Sequence, residues 1–260
     1  IHTKSGENMK IRLGYVAIPL TLAPLTSSSS MTYTYYESCN PSQREEKLEK
    51  IILSNFSNLK EILLYNYKNE IEFYRMTSNL IPFATHPKVT LDLKRYQEEW
   101  QKIGKLIKRY HMRVDTHPDQ FCVLNSVRSE VVLSSINMLK YHEFMFQSMQ
   151  IDGQMILHIG SGTFGVEASK KRFIKRFKEL DPYLQKHIIL ENDDKIFTMK
   201  DTLEVCETLK IPMVLDYHHH LCNNHGEKVE DYIEAIFQTW KDTNYVPKIH
   251  FSSPKSKKEF

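Results

Sequence analysis

Short apolar runs alternate along the chain with longer stretches in which apolar residues return every three or four positions. The first kind predicts buried strands and the second amphipathic helices. Ile11 to Ile18 reads as strand one, stopped by Pro19. A Ser-, Thr- and Tyr-rich loop is expected from Thr26 to Asn40, holding Tyr33, Tyr35 and Tyr36. Pro41 then opens a long helix with Leu48, Ile51, Ile52, Phe56, Leu59, Ile62 and Leu63 on one face. Strand two is Ile71 to Met76, strand three Met112 to Thr116, strand four Met155 to Leu157 and strand five Ile188 to Leu190. Strand six starts at Met213 and strand seven runs from Lys248 to Ser253. Helices are predicted between them over 92–110, 129–149, 167–180, 199–210 and 228–241.

Strand-helix units of roughly 30–40 residues predict a parallel sheet built from crossovers. Seven such units, with Phe260 falling near where an eighth strand would begin, predict an α/β fold of the (β/α)8 TIM-barrel type whose eighth strand is missing. Residues 1–8 read as a leader before Met9, and 9–260 as a single barrel domain, C-terminally shortened.

Barrel enzymes carry their chemistry at the C-terminal ends of the strands. Strands two to seven end, in order, in His86, His117, His158, Glu191, Asp216 with His218, His219 and His220, and His250. Asp216 and the His triplet are potential metal ligands that have no role in an apolar core, where leaving them unpaired would cost several kcal/mol. Six consecutive strand ends bearing His, Asp or Glu predict a polynuclear metal site. Strand parity places Asp216 and His218 on one face and His219 on the other, which leaves His218 and His219 as rival ligands.

Composition narrows the classes. The 260 residues are 41% hydrophobic and carry a net charge of +3, a balance that permits a nucleic-acid partner without requiring one. No apolar run approaches the ~18 residues of a membrane span, so no membrane partner is expected. Cys39, Cys122, Cys206 and Cys222 form no C-x-x-C pair, which suits a reducing cytoplasm. Gly160-Ser161-Gly162-Thr163-Phe164-Gly165 spells a G-x-G-x-x-G pattern after a strand, but beside His158 it reads as a turn. A soft-ligand role for Cys222 is the less favoured reading of an ordinary loop thiol.

His and carboxylate donors without thiolate suit Zn2+, Mn2+ or Co2+. Paired ions of this kind serve phosphodiester hydrolysis by activating water and neutralising the leaving oxygen. They serve sugar isomerases or epimerases equally well by polarising a carbonyl. The residue types alone leave both classes open.

An ordered set of segments decides between them by resemblance. Ile11-Arg12-Leu13-Gly14-Tyr15, Tyr74-Arg75-Met76-Thr77-Ser78 with His86, and His117-Pro118-Asp119-Gln120-Phe121 are followed by His158-Ile159-Gly160 and Leu190-Glu191-Asn192-Asp193. Asp216-Tyr217-His218-His219-His220 and Lys248-Ile249-His250-Phe251-Ser252-Ser253 complete it. Over about residues 11–253 the chain resembles the UV damage endonucleases, repair enzymes that nick one strand. The resemblance implies a barrel related to endonuclease IV and xylose isomerase. It implies incision of damaged double-stranded DNA immediately 5′ to cyclobutane dimers, 6-4 photoproducts and some abasic sites. Separately from the resemblance, a cytoplasmic monomer is expected. The resemblance implies up to three divalent ions, Mn2+ foremost, held by His86, His117, His158, Glu191, Asp216, His219 and His250, with His219 preferred over His218. Glu191 would bridge two ions. Lys248 would be carboxylated, with a plain lysine on the scissile phosphate as the alternative. Gln120 and Phe121 would probe the duplex at the lesion and Tyr15 would line the pocket for displaced bases. Pro19 stands where relatives often have Asn. The family pattern continues with a His and a Glu ligand beyond Phe260, so an incompletely closed barrel and a weakened cluster are expected.

Overall fold

The computed structural model describes residues 11–252. The expected leader, Met9, Ser253 and the basic tail Lys255 to Lys258 lie outside the described residues. The described chain divides into two compact units, residues 11–116 with 145–153, and residues 117–144 with 154–252.

In the first unit three strands pair in parallel with their sequence neighbours: β1 (Gly14–Val16), β2 (Phe73–Met76) and β3 (Arg113–Thr116). The Thr26–Asn40 stretch is not all loop: α1 (Tyr33–Ser38) starts where the Thr32 side chain accepts the Tyr35 N–H. Next comes α2 (Pro41–Lys68), with Asn40 as N-cap and proline in the first turn. It buries Leu48, Ile52, Phe56, Leu59, Ile62 and Leu63, the predicted apolar face apart from the partly buried Ile51. The helix expected over 92–110 begins as a 3-10 turn, Leu93–Tyr96, and continues as α3 (Gln97–Arg109). Trp100 of α3 meets Phe56 edge-to-face at 4.7 Å.

Helix α4 (Ser129–Met149) has the predicted bounds. In the second unit β4 (Gln154–Leu157), β5 (Ile188–Glu191), β6 (Met213–Asp216) and β7 (Ile249–His250) again pair in parallel, in sequence order. Strands β4 to β6 are buried throughout, as parallel strands covered on both faces must be. Between them lie α5 (Val166–Lys178), a short α6 (Pro182–His187) that the periodicity does not show, α7 (Met199–Leu209), α8 (Tyr217–Cys222) and α9 (Val229–Gln238). Ile156, Ile189 and Val214 from successive strands pack with Trp240, whose indole N–H donates to the Met213 carbonyl at 2.7 Å. The parallel βα alternation is that of a TIM-barrel-like α/β fold, with seven strands among the described residues.

Candidate metal centre

Five ligand candidates of the second unit leave the chain at or directly after the end of a strand. Glu191 is the last residue of β5 and is buried. His117 directly follows β3, His158 directly follows β4, Asp216 ends β6 and His250 ends β7. His250 Nδ1 lies 2.6 Å from Glu191 Oε1, His117 Nε2 3.3 Å from Oε2 and His158 Nε2 3.8 Å from the same oxygen. On the other side, Asp216 Oδ2 is 4.0 Å from His250 Nδ1 and 3.8 Å from His219 Nδ1. Two triads follow: His117, His158 and Glu191, and Glu191, Asp216 and His250, each with ligand atoms within 4.8 Å of one another. Glu191 belongs to both.

The imidazole tautomers are set by backbone carbonyls. His117 Nδ1 contacts Pro118 O at 2.8 Å, His158 Nδ1 contacts Glu191 O at 3.1 Å and His219 Nδ1 contacts Asn192 O at 2.9 Å. A carbonyl only accepts, so each Nδ1 carries the proton, and in its neutral form each ring would turn an Nε2 lone pair outward. For His117 and His158 that lone pair would face the Glu191 carboxylate, lone pair against lone pair. Glu191 Oε2 is buried and accepts no hydrogen bond of good geometry, and His250 Nε2 is likewise buried without one. Buried polar atoms are rarely left so. A cation between them removes the repulsion, and the N and O donors suit a divalent metal.

Burial would push the Glu191 carboxyl up, but in the ion-free protein hydrogen bonding by His117 and His250 and positive charge on His250 and His158 hold it well below the usual carboxylate range, a part that a divalent ion would take over once the rings are neutral. Burial raises Asp216, the His219 N–H opposes that, and the Glu191 charge adds to the rise. Burial lowers His158, which favours the neutral, metal-binding ring.

Helix α8 decides where the two rival rings of the His triplet stand. The chain does not continue as a strand after Asp216; it turns helical at Tyr217, so strand parity no longer applies. Asp216 becomes the N-cap, its Oδ1 accepting the His219 N–H at 2.9 Å. His219 comes back toward the Asp216 carboxylate, while His218 Nε2 faces Cys222 Sγ at 3.9 Å.

Residue roles that the sequence did not reveal surround these ligands. Asn192, fully buried, grips Asp216 by its backbone: Nδ2 donates to Asp216 O at 3.0 Å and Oδ1 accepts the Asp216 N–H at 2.8 Å. Its own carbonyl holds His219. The only signal was its place beside Glu191. Asp193 accepts the N–H groups of Lys195, Ile196 and Phe197 and so shapes the turn.

The remaining predicted residues fall as follows. Lys248 is buried one residue before β7. Gln120 is exposed, and Phe121 is 67% exposed, its N–H held by Asp119 Oδ1 at 2.9 Å, so it does not pack in the core. In the first unit, the His86 ring stacks on Tyr33 with centroids 4.4 Å apart and its Nδ1 accepts the Lys88 N–H. Tyr15 donates its hydroxyl to Asn66 Oδ1 at 2.6 Å, and partial burial pushes its pKa up to about 12. The four predicted free thiols are free.

Comparison with known proteins gives one answer. The family model for the UV-endonuclease UvdE matches residues 11–260. The UV DNA damage endonuclease of Bacillus cereus (strain 03BB102) is 39% identical over 255 residues, 97% of this chain and 80% of that protein. The crystal structure of SacUVDE is similar at a TM-score of 0.86 and 38% identity, covering 95% of this chain and 82% of that one. A D-psicose 3-epimerase solved in the presence of D-fructose aligns over 74% of this chain and 78% of its own with a TM-score of 0.53 at 10% identity, a likeness of fold alone. Among the described residues no helix is long and apolar enough to cross a membrane.

Proposed function

This chain belongs to the UV-endonuclease UvdE family, and from that premise we propose that the Glu191 centre is where it cuts DNA. It is a UV damage endonuclease, a DNA-cleaving hydrolase. The observation that carries the site is the sharing of one buried carboxylate, Glu191, between two ligand triads.

In this reading His117, His158 and Glu191 hold one divalent ion, and Glu191, Asp216 and His250 a second, with Mn2+ the preferred metal. His219 joins beside Asp216, and His86 is added on the family resemblance alone. Bound ions of this type supply Lewis acidity, lowering the pKa of an attacking water and offsetting charge on the phosphate and leaving oxygen. The chain's own part is to fix the donors. Carbonyl-bound Nδ1 atoms keep the imidazoles in the ligating tautomer, and Asn192 holds the Asp216 backbone in place. Lys248 contributes either as a carboxylated, anionic side chain or as an ammonium on the scissile phosphate.

The substrate is double-stranded DNA carrying a cyclobutane dimer, a 6-4 photoproduct or an abasic site. Damaged nucleotides stack and pair poorly, so extruding them costs less than extruding normal ones. Exposed Gln120 and Phe121 suit a probe of that weakness, with Tyr15 lining the receiving pocket. The cut falls immediately 5′ to the lesion and leaves a 3′-hydroxyl.

An end-labelled, UV-irradiated duplex incubated with the protein and Mn2+ tests this. A nick directly 5′ to the photoproduct is expected, with unirradiated duplex intact. Glu191→Gln should abolish the nick while circular dichroism stays that of the wild type. Near wild-type nicking by that variant would remove the bridging role, and sugar turnover with intact DNA would overturn the function.

A further inference from the structure

Two exposed phenylalanines of the second unit follow strands that lead into ligand candidates. Phe121 lies four residues after His117, and Phe164, 80% exposed, six residues after His158. Leaving such a ring in water forgoes roughly 1.5–3 kcal/mol of burial. Phe164 also has a φ of 67°, in the left-handed region that bulky side chains rarely adopt.

The loop bearing it is bolted down. Gly160 has a φ of 108°, and a Cβ there would meet Asn125 Oδ1 at 2.8 Å and Val123 Cγ1 at 3.0 Å. Buried Asn125 donates from Nδ2 to Ser161 O at 2.7 Å and accepts the Ser161 N–H at 2.8 Å. Arg172 of α5 ties the assembly together, donating to Asn125 O at 3.0 Å, to Ser169 Oγ at 2.8 Å and to Thr163 O. Its guanidinium sits 5.9 Å from the Phe164 ring centroid. The 160–165 loop is therefore locked onto the segment that also carries Phe121, and the ring is held outward with little left to order on binding.

We propose that Phe164 is a second aromatic contact with the DNA, seated as an apolar wedge against the bases next to the lesion. The proposal rests on the endonuclease reading above and deepens it. Bases offer a π-face to any aromatic ring, and apolar wedges open base steps that are already weakened. A pinned ring beyond a metal-ligating histidine is placed for that role, whereas a ring that served packing would be covered.

The test measures anisotropy of a labelled duplex bearing one cyclobutane dimer, in EDTA so that no cutting occurs. Phe164→Ala should bind roughly tenfold more weakly than wild type, the size of one lost base stack, with an unchanged melting temperature. Phe164→Trp should bind as wild type, and its indole emission should be quenched when duplex is added. Binding of Phe164→Ala within twofold of wild type, or an unquenched Phe164→Trp, overturns the proposal while a nicking wild type leaves the endonuclease reading standing. A wild type that neither binds nor nicks damaged duplex overturns both.

Discussion

His142 of α4 is a buried imidazole whose Nδ1 has no hydrogen-bond partner, and burial, helped by His117, pushes its pKa down to about 3. The unfolded chain takes up a proton there near 6.5. Between those values only the unfolded state is protonated, so the neutral ring's stability is complete above 6.5. It is lost as pH falls, at about 1.4 kcal/mol per unit. His142→Leu should remove this loss: between pH 7 and pH 5 the variant should gain roughly 2 kcal/mol on the wild type in urea unfolding. Parallel pH profiles for the two would rule the ring out. At this scale the sequence was informative where side chains act by their own chemistry. His117, His158, Glu191, Asp216 and His250 were legible as candidate ligands because His and carboxylate side chains recur at successive strand ends, and the structure groups them in two triads. Asn192 was not, because it acts on the backbone of a residue 24 positions away, and an amide carries no mark of such a partner. Phe164 was hidden inside a glycine pattern that drew attention to its backbone.

The strands and long helices were legible because their periodicity extends over many residues. The short helices were not: α1, α6 and α8 have six residues each, too few for a period to emerge. They are set by caps instead. Asp181 accepts the Tyr183 N–H at 2.8 Å ahead of α6, with Pro182 in the first turn. The cap of α8 is Asp216, which the proposed function also makes a metal ligand. The two duties separate by substitution. Asn caps as well as Asp, whereas Ala does not and costs about 1 kcal/mol. Both Asp216→Asn and Asp216→Ala should bind Mn2+ poorly in titration calorimetry, but only Asp216→Ala should lower the unfolding free energy of the ion-free protein. Equal losses from both would mean that the carboxylate charge, not the cap, holds α8.

For the whole molecule, ion binding and stability are coupled, because a ligand that binds only the folded chain stabilises it by mass action. One site at a hundredfold excess over its dissociation constant adds about 2.7 kcal/mol. A second acidic group competes on paper for that effect: Glu167, Asp201 and Glu204 also lie close enough to ligate a cation. Lys170 already sits among them, its Nζ 2.6 Å from Glu167, 3.1 Å from Asp201 and 2.6 Å from Glu204. The ammonium already occupies the place between the carboxylates and offsets part of their charge, so an incoming ion would have to displace it. Among the described residues, the ionic contacts of the Glu191 carboxylate are with the imidazoles of His117, His158 and His250. Saturating Mn2+ should therefore raise the melting temperature of the wild type and of Glu204→Gln by the same amount, and that of Glu191→Gln by far less. Comparing each variant with and without Mn2+ cancels whatever the substitution does to the ion-free protein. A stabilisation that survives Glu191→Gln and disappears in Glu204→Gln would place the ion at Lys170 and take the metal centre away from the strand ends.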